Sequence, residues 1–535
     1  MQPHMDCAPR PVKSTIKHCA RRGLGLYILF FCLSPRLFGG CSALPSLVNR
    51  TASTAIFNTG DTKLGRGISP LVESHPGKSG IYPLPDAQDA FAARALLAHS
   101  AERTLDLQYY IWHGDMSGTL LFNAVRDAAD RGVRVRLLLD DHGTSGIDGT
   151  LAALDSHPNI EVRLFNPFVI RNPRAINYLT DFFRLNRRMH NKSFTADNQA
   201  TIIGGRNIGD EYFGATDGLL YVDLDVLAVG PVVSEMSKDF DRYWASGSSY
   251  PIAGLLPAVT PAQIAELASA ASLIERGPLA VAYIEAIRNS SFVRELVERR
   301  LPLQWAATRM ISDDPAKGLG LAAPEGLLLQ KLKEIIGEPQ IELDLVAPYF
   351  VPGAKGADAF VDIAKRGVRL RILSNSWEAT DAVTPVHAFY AKRRKWLIEG
   401  GIRLYELRRL SPVVEPRKND GPSGSSSSSL HAKTFSVDRA RVFIGSFHFD
   451  PRSAELNTEL GFVIDSPALA REIENAFDSR ISANAYEVRL SDDGQLYWIE
   501  QRQGEVVRYD TEPGTNFWER AGMRFMTVLP IEWLL

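Results

Sequence analysis

Beyond residue 41 the chain has no cysteine: Cys7, Cys19, Cys32 and Cys41 account for all four in 535 residues. The body of the protein can therefore build no disulfide framework, and apolar burial has to hold it together. A surplus of either charge is missing as well. Lys and Arg total 60 against 62 Asp and Glu, a net charge of -2, which provides no general attraction to nucleic acid or another polyanion. Long apolar runs are also lacking. The run from Leu24 to Leu33 falls short of the roughly 20 residues that a helix needs to cross a bilayer. What remains is 45% hydrophobic and 23% charged, ordinary for globular protein and enough for two sizeable cores.

The N-terminal segment is ordered like an export signal. Arg10, Lys13, Lys17, Arg21 and Arg22 precede the short apolar run, a basic region followed by a hydrophobic one. The run ends in Leu37-Phe38-Gly39-Gly40-Cys41, which resembles a lipoprotein processing box, where small residues precede a cysteine that becomes lipid-modified and N-terminal. Residues 1–41 are expected to be this signal, Cys41 the lipidated residue, and the mature chain an exported protein anchored at the periplasmic face of the cell envelope. An uncleaved anchor, peripheral attachment to the inner membrane, and a cytosolic protein with a later start are the competing readings. Residues 42–80, rich in Ser, Thr, Gly and Pro, are expected to be a tether.

The body repeats itself. Leu105-Asp106-Leu107 recurs as Leu343-Asp344-Leu345, Ala129-Asp130-Arg131-Gly132-Val133 as Ala364-Lys365-Arg366-Gly367-Val368, and His190-Asn191-Lys192 as His431-Ala432-Lys433. The offsets of 238, 235 and 241 residues fit one duplicated domain with small loop differences. Each copy reads as strand, helix, strand. In the first, Leu105 to Ile111 is a buried strand, Thr119 to Asp130 has helical spacing ended by Gly132, and Val133 to Leu139 is a second strand. Alternating strands and helices predict an α/β fold with a mixed, largely parallel sheet in each half. The expected domains are 81–250 and 331–535, the second with a C-terminal extension, joined by a helical linker over 251–330.

The duplicated halves carry matched chemistry. His190-Asn191-Lys192 is followed by Asp197 and Gly204-Gly205-Arg206-Asn207; His431-Ala432-Lys433 is followed by Asp438 and Gly445-Ser446-Phe447-His448. A lone His-x-Lys-x4-Asp turns up by chance in roughly a few per cent of chains this long; two copies at matched positions do not. Residues i and i+2 of a strand share a face, so His and Lys enter one cleft together. The strands Thr201–Ile203 and Val442–Ile444 run into small-residue turns, where backbone N–H groups at Gly205 and Ser446 can approach a phosphate. Two histidines and two lysines at one point suit phosphodiester exchange by double displacement. One neutral imidazole attacks phosphorus and forms a phosphohistidine; the other, protonated, donates to the leaving alkoxide. The lysines, helped by Asn207 and Ser446, neutralise the non-bridging oxygens. Such a scheme requires neither metal nor cofactor, and the ligand spacing of a two-metal site is not evident.

These paired motifs resemble those of the phospholipase D superfamily. Within it, "NRRMHNKSF", "GGRNIGDEYF", "LHAKTFSVD", "IGSFHFDPRSAELNTE" and "LPIEWLL" resemble bacterial cardiolipin synthases, most closely the C type, from about Gly80 to the end. The resemblance implies two tandem α/β/α sandwich domains with the active site at their pseudo-twofold interface. It implies catalytic status for His190, Lys192, Asp197, His431, Lys433 and Asp438, with the aspartates holding their surroundings together. Asn207, Ser446, Asn457 and Glu459 become supporting residues, His190 the nucleophile and His431 the general acid. His448 stands where the family has Asn, and it keeps a donor for a phosphoryl oxygen while adding a titratable charge.

The implied reaction is cardiolipin formation from phosphatidylglycerol and a second phospholipid, phosphatidylethanolamine being one candidate, at a membrane surface and without nucleic acid. A phospholipase D hydrolase, a superfamily nuclease and a silent envelope lipoprotein are the alternatives. Elsewhere the plainer readings hold. His75, His99, His113, His142, His157 and His387 are expected to be structural, Lys392-Arg393-Arg394-Lys395 a solvated helix face, and Gly421–Ser429 a flexible surface loop, with a lid as its alternative. Phe182-Phe183-Arg184 with Arg187-Arg188 reads equally as lipid contact or surface; the Trp533-Leu534-Leu535 tail is expected to pack on the second domain.

Overall fold

The computed structural model describes residues 44–48, 50–216, 219–298, 300–380, 384–409, 427–502 and 504–535. The expected signal and Cys41 lie outside these residues, as does most of the Gly421–Ser429 segment.

The first half contributes β1 (Ser79–Leu84), β2 (Thr104–Ile111), β3 (Arg134–Gly143), β4 (Ile160–Phe165), β5 (Ser193–Ala196), β6 (Ala200–Gly204), β7 (Leu219–Val222), β8 (Asp225–Val229) and β9 (Ser249–Pro251). The second contributes β10 (Gln304–Ser312), β11 (Glu342–Val346), β12 (Arg369–Asn375), β13 (Arg403–Leu407), β14 (Ser427–Leu430), β15 (Thr434–Val437), β16 (Arg441–Gly445), β17 (Leu460–Asp465), β18 (Ala485–Leu490), β19 (Leu496–Arg502) and β20 (Glu505–Tyr509). In the first half β4, β3 and β2 run parallel, and β5, β6, β8 and β1 continue the sheet antiparallel. The second half repeats this order as β13, β12, β11, β15, β16, β17 and β10. Each sheet is therefore mixed, with a block of three parallel strands. β10 pairs with β1 through residues 304–306 and with β17 through residues 307–312, so one strand welds the two sheets into one.

The repeat found in the sequence has a physical cause. Asp106 and Arg136 are register partners on β2 and β3, and the guanidinium grips the carboxylate at 2.7 and 2.8 Å. Asp344 and Arg371 repeat the fork on β11 and β12 at 2.7 and 2.6 Å. All four side chains are buried, where a charge survives only with a bidentate partner. The flanking leucines face the opposite way, into cores built with helices Ala87–Ser100 and Met116–Asp130 in one half and Leu328–Ile336 and Gly353–Lys365 in the other. A third core mixes the halves: Val226, Met236, Phe240 and Trp244 pack with Val442, Ile444, Phe462 and Leu469. It fixes how the halves face each other.

Three expectations are corrected. Residues 44–78 are not a loose tether: Arg50 donates to Ser246 and Ser249 carbonyls, Arg136 donates to Ser53 O, and Lys63–Glu73 is a helix capped by Thr62. The linker 251–330 holds the expected helices Pro261–Glu275, Pro278–Arg288 and Ser291–Val297, but it also contains β10 from residue 304, so the second domain begins before residue 331. The basic run on helix Thr384–Glu399 is not wholly solvated. Arg394 is buried, its Nε 2.8 Å from Glu406 and its NH2 against Glu512.

Candidate active site

Each histidine is stitched to the opposite half. His190 N donates to Thr458 O at 2.9 Å, and His431 N to Val222 O at 2.8 Å; β14 pairs in parallel with β7 to bring the second motif there. The residue after each carbonyl is an acid. Glu459 Oε2 lies 2.9 Å from His190 Nδ1, and Asp223 Oδ2 lies 2.5 Å from His431 Nδ1. A carboxylate on Nδ1 keeps the proton there and leaves Nε2 with its lone pair free for phosphorus. The two acids differ in length, and their seats differ to match. A Cβ on Gly205 would stand 2.0 Å from Asp223 Oδ1, so the short acid needs glycine beside it. At the corresponding position Ser446 Oγ donates to Glu459 Oε2 at 2.5 Å, and Ser453 Oγ to Oε1 at 2.8 Å.

Both lysines enter the same buried space. Lys192 Nζ donates to His190 O at 2.5 Å; Lys433 Nζ lies against the His431 ring, 2.7 Å from Nδ1 and 3.0 Å from Nε2. Burial, then the Lys433 charge, pushes the Lys192 ammonium well below the ordinary lysine range. Burial followed by the two lysines likewise pushes both His190 and His431 well below 6.5. The cleft thus favours neutral imidazoles, and a phosphodiester anion would offset the cationic repulsion and restore protonation to one of them. Burial raises the Glu459 carboxyl to about 7 against the pull of Lys192.

A third imidazole joins the two. The His448 ring is 5.4 Å from that of His190 and 6.4 Å from that of His431, and it stacks on Tyr349 at 5.0 Å. Its Nδ1 is buried with no hydrogen-bond partner among the described residues. Asn207, its counterpart, is turned into the protein: Nδ2 donates to Tyr212 OH at 2.9 Å and Oδ1 accepts from Ile111 N at 3.2 Å. Asn457 Oδ1 is likewise buried without a partner among the described residues. Tyr110 flanks His190 at 5.0 Å; Tyr221 and Tyr212 flank His431 at 4.9 and 5.3 Å.

The motif aspartates do not reach this cleft. Asp197, beyond the far end of β5, accepts backbone N–H bonds from Glu102, Arg103 and Thr104 at 3.0, 2.7 and 2.9 Å. Asp438 does the same for Gln340, Ile341 and Glu342 at 3.0, 2.7 and 3.1 Å. Each ties the start of one central strand to the motif hairpin, and both are positioning residues. The sequence reading missed Asp223, Tyr110 and Tyr349. An acidic residue followed by leucine on the approach to β8 and β17, Asp223-Leu224 and Glu459-Leu460, was the available signal for Asp223. Possible metal ligands meet at one place among the described residues, His113, Asp115 and Glu211. There His113 Nδ1 is paired to Glu211 at 3.2 Å and Asp115 caps helix Met116–Asp130, a structural role.

Known proteins resemble this chain in sequence and fold. The sequence profile of the cardiolipin synthase, PLD-like domain matches residues 96–244 and again 332–481. Cardiolipin synthase C of Escherichia coli is 48% identical over 473 residues, spanning 88% of this chain and all of that protein. Cardiolipin synthase B of Escherichia coli is 24% identical, spanning 76% of this chain and 82% of its own length. The crystal structure of phosphatidylserine synthase from Haemophilus influenzae shares the fold at a TM-score of 0.56 and 13% identity, covering 89% of this chain and all of that one.

Proposed function

The chain belongs to the cardiolipin synthase family of phospholipase D-like proteins, and from that premise we propose how its cleft makes cardiolipin from phosphatidylglycerol and a second phospholipid. The protein is a phosphatidyltransferase. His190 Nε2 attacks the donor phosphorus, forming a P–N bond while the P–O bond to the donor headgroup breaks, and His431 gives its proton to the departing alkoxide. The glycerol hydroxyl of phosphatidylglycerol then attacks phosphorus, His431 takes that proton back, and the P–N bond breaks to free His190. Lys192 and Lys433 offset charge on the phosphoryl oxygens throughout. Asp223 and Glu459 hold each imidazole by Nδ1, and this pairing across the halves is the observation that supports the scheme most directly.

Phosphatidylethanolamine as the second lipid, lipid attachment at Cys41 and residence at the periplasmic membrane face extend the same reading. Support for transfer over hydrolysis comes from burial. Each imidazole is only 7% exposed, which limits the water that can compete for the phosphohistidine. Incubating purified protein in mixed micelles with labelled phosphatidylglycerol, with and without phosphatidylethanolamine, tests the assignment. Labelled cardiolipin is expected; phosphatidic acid as the sole labelled product would make the enzyme a hydrolase.

A further inference from the structure

Large apolar side chains that face water concentrate on two segments that meet beside the cleft. Helix Tyr178–Leu185, which ends shortly before His190, exposes Leu179 at 85% and Phe183 at 79%. The C-terminal segment, built on helix Phe517–Met526, exposes Trp518 at 78% and Val528 at 80%, with Phe525 between them also exposed. Arg452 joins the two. Its guanidinium donates to O and Oδ1 of Asn186, the residue after the first helix, at 3.0 and 2.7 Å, and to Leu534 O at 2.8 Å. Behind this joint the tail shares a cluster with a residue of the cleft: Ile531 and Leu535 pack against Val351, Val386 and Phe389, as does Tyr349, which stacks on His448.

We propose that these two segments form one collar that docks the cleft onto an anionic phospholipid surface, so that lipids pass from the bilayer to the imidazoles without crossing water. The proposal rests on the phosphatidyl-transfer reading. Charge complementarity favours lipid as the occupant. Arg524 is exposed beside Phe525, and Lys392 reaches Thr527 O at 3.0 Å from the neighbouring helix, whereas Arg184 in the first segment is paired to Asp181. Exposed aromatic and aliphatic side chains interleaved with Arg and Lys are the composition of interfacial anchors, which bury their rings at headgroup depth. No helix among the described residues is long and apolar enough to cross a membrane, so the collar sits in the interface. Part of the tail still packs on the second domain, through Ile531 and Leu535, while its neighbours face out.

The test compares the full chain carrying Cys41→Ser, which removes any lipid at that position, with the same chain also carrying Leu179→Ser, Phe183→Ser, Trp518→Ser and Phe525→Ser. Circular dichroism and Tm establish that both are folded. Binding and turnover are measured on vesicles of phosphatidylglycerol and phosphatidylcholine, and turnover on short-chain phosphatidylglycerol below its micelle concentration. A loss of at least about tenfold in vesicle binding and vesicle turnover is expected, with turnover of the dispersed lipid within about twofold. Unchanged vesicle binding overturns the collar, as does an equal loss on both substrates. So does a switch from dimer to monomer with lipid binding intact, which would assign the face to a second copy. Should the parent protein bind vesicles through these residues yet process no phospholipid, the transfer reading fails and the collar stands.

Discussion

His190 is held by a glutamate seated among serines, whereas His431 is held by an aspartate seated beside a glycine. The halves thus keep the same contact, carboxylate to Nδ1 across the seam, while exchanging side-chain length for space on the facing turn. Some features are common to both halves and others have diverged. Backbone stitching, lysine placement and the strand-start aspartate are kept. The lining of the phosphate pocket diverges: one half offers Asn207, already engaged by Tyr212 and Ile111, and the other offers His448 with an open nitrogen.

Deleting either imidazole should break the comparison most severely. His190→Ala and His431→Ala should each lower kcat by about 10⁴-fold or more, because nucleophile and proton carrier act as a unit. The two should separate in a rapid-quench experiment with a labelled substrate that has a good leaving group. Label is expected on the His431→Ala protein and not on His190→Ala; the reverse pattern would exchange the roles of the halves.

Next in size is the pair Glu459→Gln and Asp223→Asn. Both keep shape and lose the charge that fixes the imidazole tautomer, an effect worth about 10²- to 10⁴-fold in kcat where a His–carboxylate pair serves catalysis. An acid limb is expected from Glu459. Burial pushes its carboxyl up to about 7, so activity should fall as pH drops through 7 and the acceptor on Nδ1 is lost. The same raised pKa means that the folded state takes up protons more readily than the unfolded one between about 4.5 and 7. Glu459 therefore costs stability at neutral pH, and the cost is relieved as pH falls through that window. In Glu459→Gln the limb near 7 should vanish from the pH profile of kcat. A profile that keeps it assigns the limb elsewhere.

Much of this was legible in the sequence because it is local. Strand periodicity places His190 with Lys192 and His431 with Lys433, and the repeated Leu-Asp-Leu and Gly-Val-Arg segments mark the parallel strands that the Asp106–Arg136 and Asp344–Arg371 forks now explain. What escaped was non-local. Asp223 meets His431 across 208 residues of chain, and no spacing rule encodes such a contact. Composition misled at residues 44–78, where Ser, Gly and Pro suggest a linker but the backbone is fastened to helix Pro231–Trp244 and its neighbours. It misled again at Arg394, whose charge reads as surface and is buried against two glutamates.

The motif aspartates offer a gentler contrast. Asp197 is fully buried with three backbone donors, whereas Asp438 performs the same task at a more open edge. Asp197→Asn should cost about 1–3 kcal/mol of stability, since buried N–H groups lose a charged acceptor, and Asp438→Asn should cost less. Tm measured by calorimetry checks the order. Because neither carboxylate faces the cleft, kcat per folded molecule should hold in both; a large loss of kcat with unchanged Tm would make them catalytic after all.

His448→Asn sharpens the comparison with the smallest change, since it gives both halves the same residue beside the phosphate. The substitution removes a ring that stacks on Tyr349 and lies 5.4 Å from the ring of His190 and 6.4 Å from that of His431. Burial and the Lys433 charge push the His448 imidazole well below 6.5, which favours its neutral form. What goes is a hydrogen-bonding nitrogen that the protein leaves unmatched, and a neutral hydrogen bond contributes about 0.5–1.5 kcal/mol. A rise in KM of about two- to tenfold is therefore expected, with kcat nearly intact and the His190 phosphoprotein still formed. If kcat falls by orders of magnitude instead, His448 handles a proton, and the second half has evolved chemistry that the first half lacks.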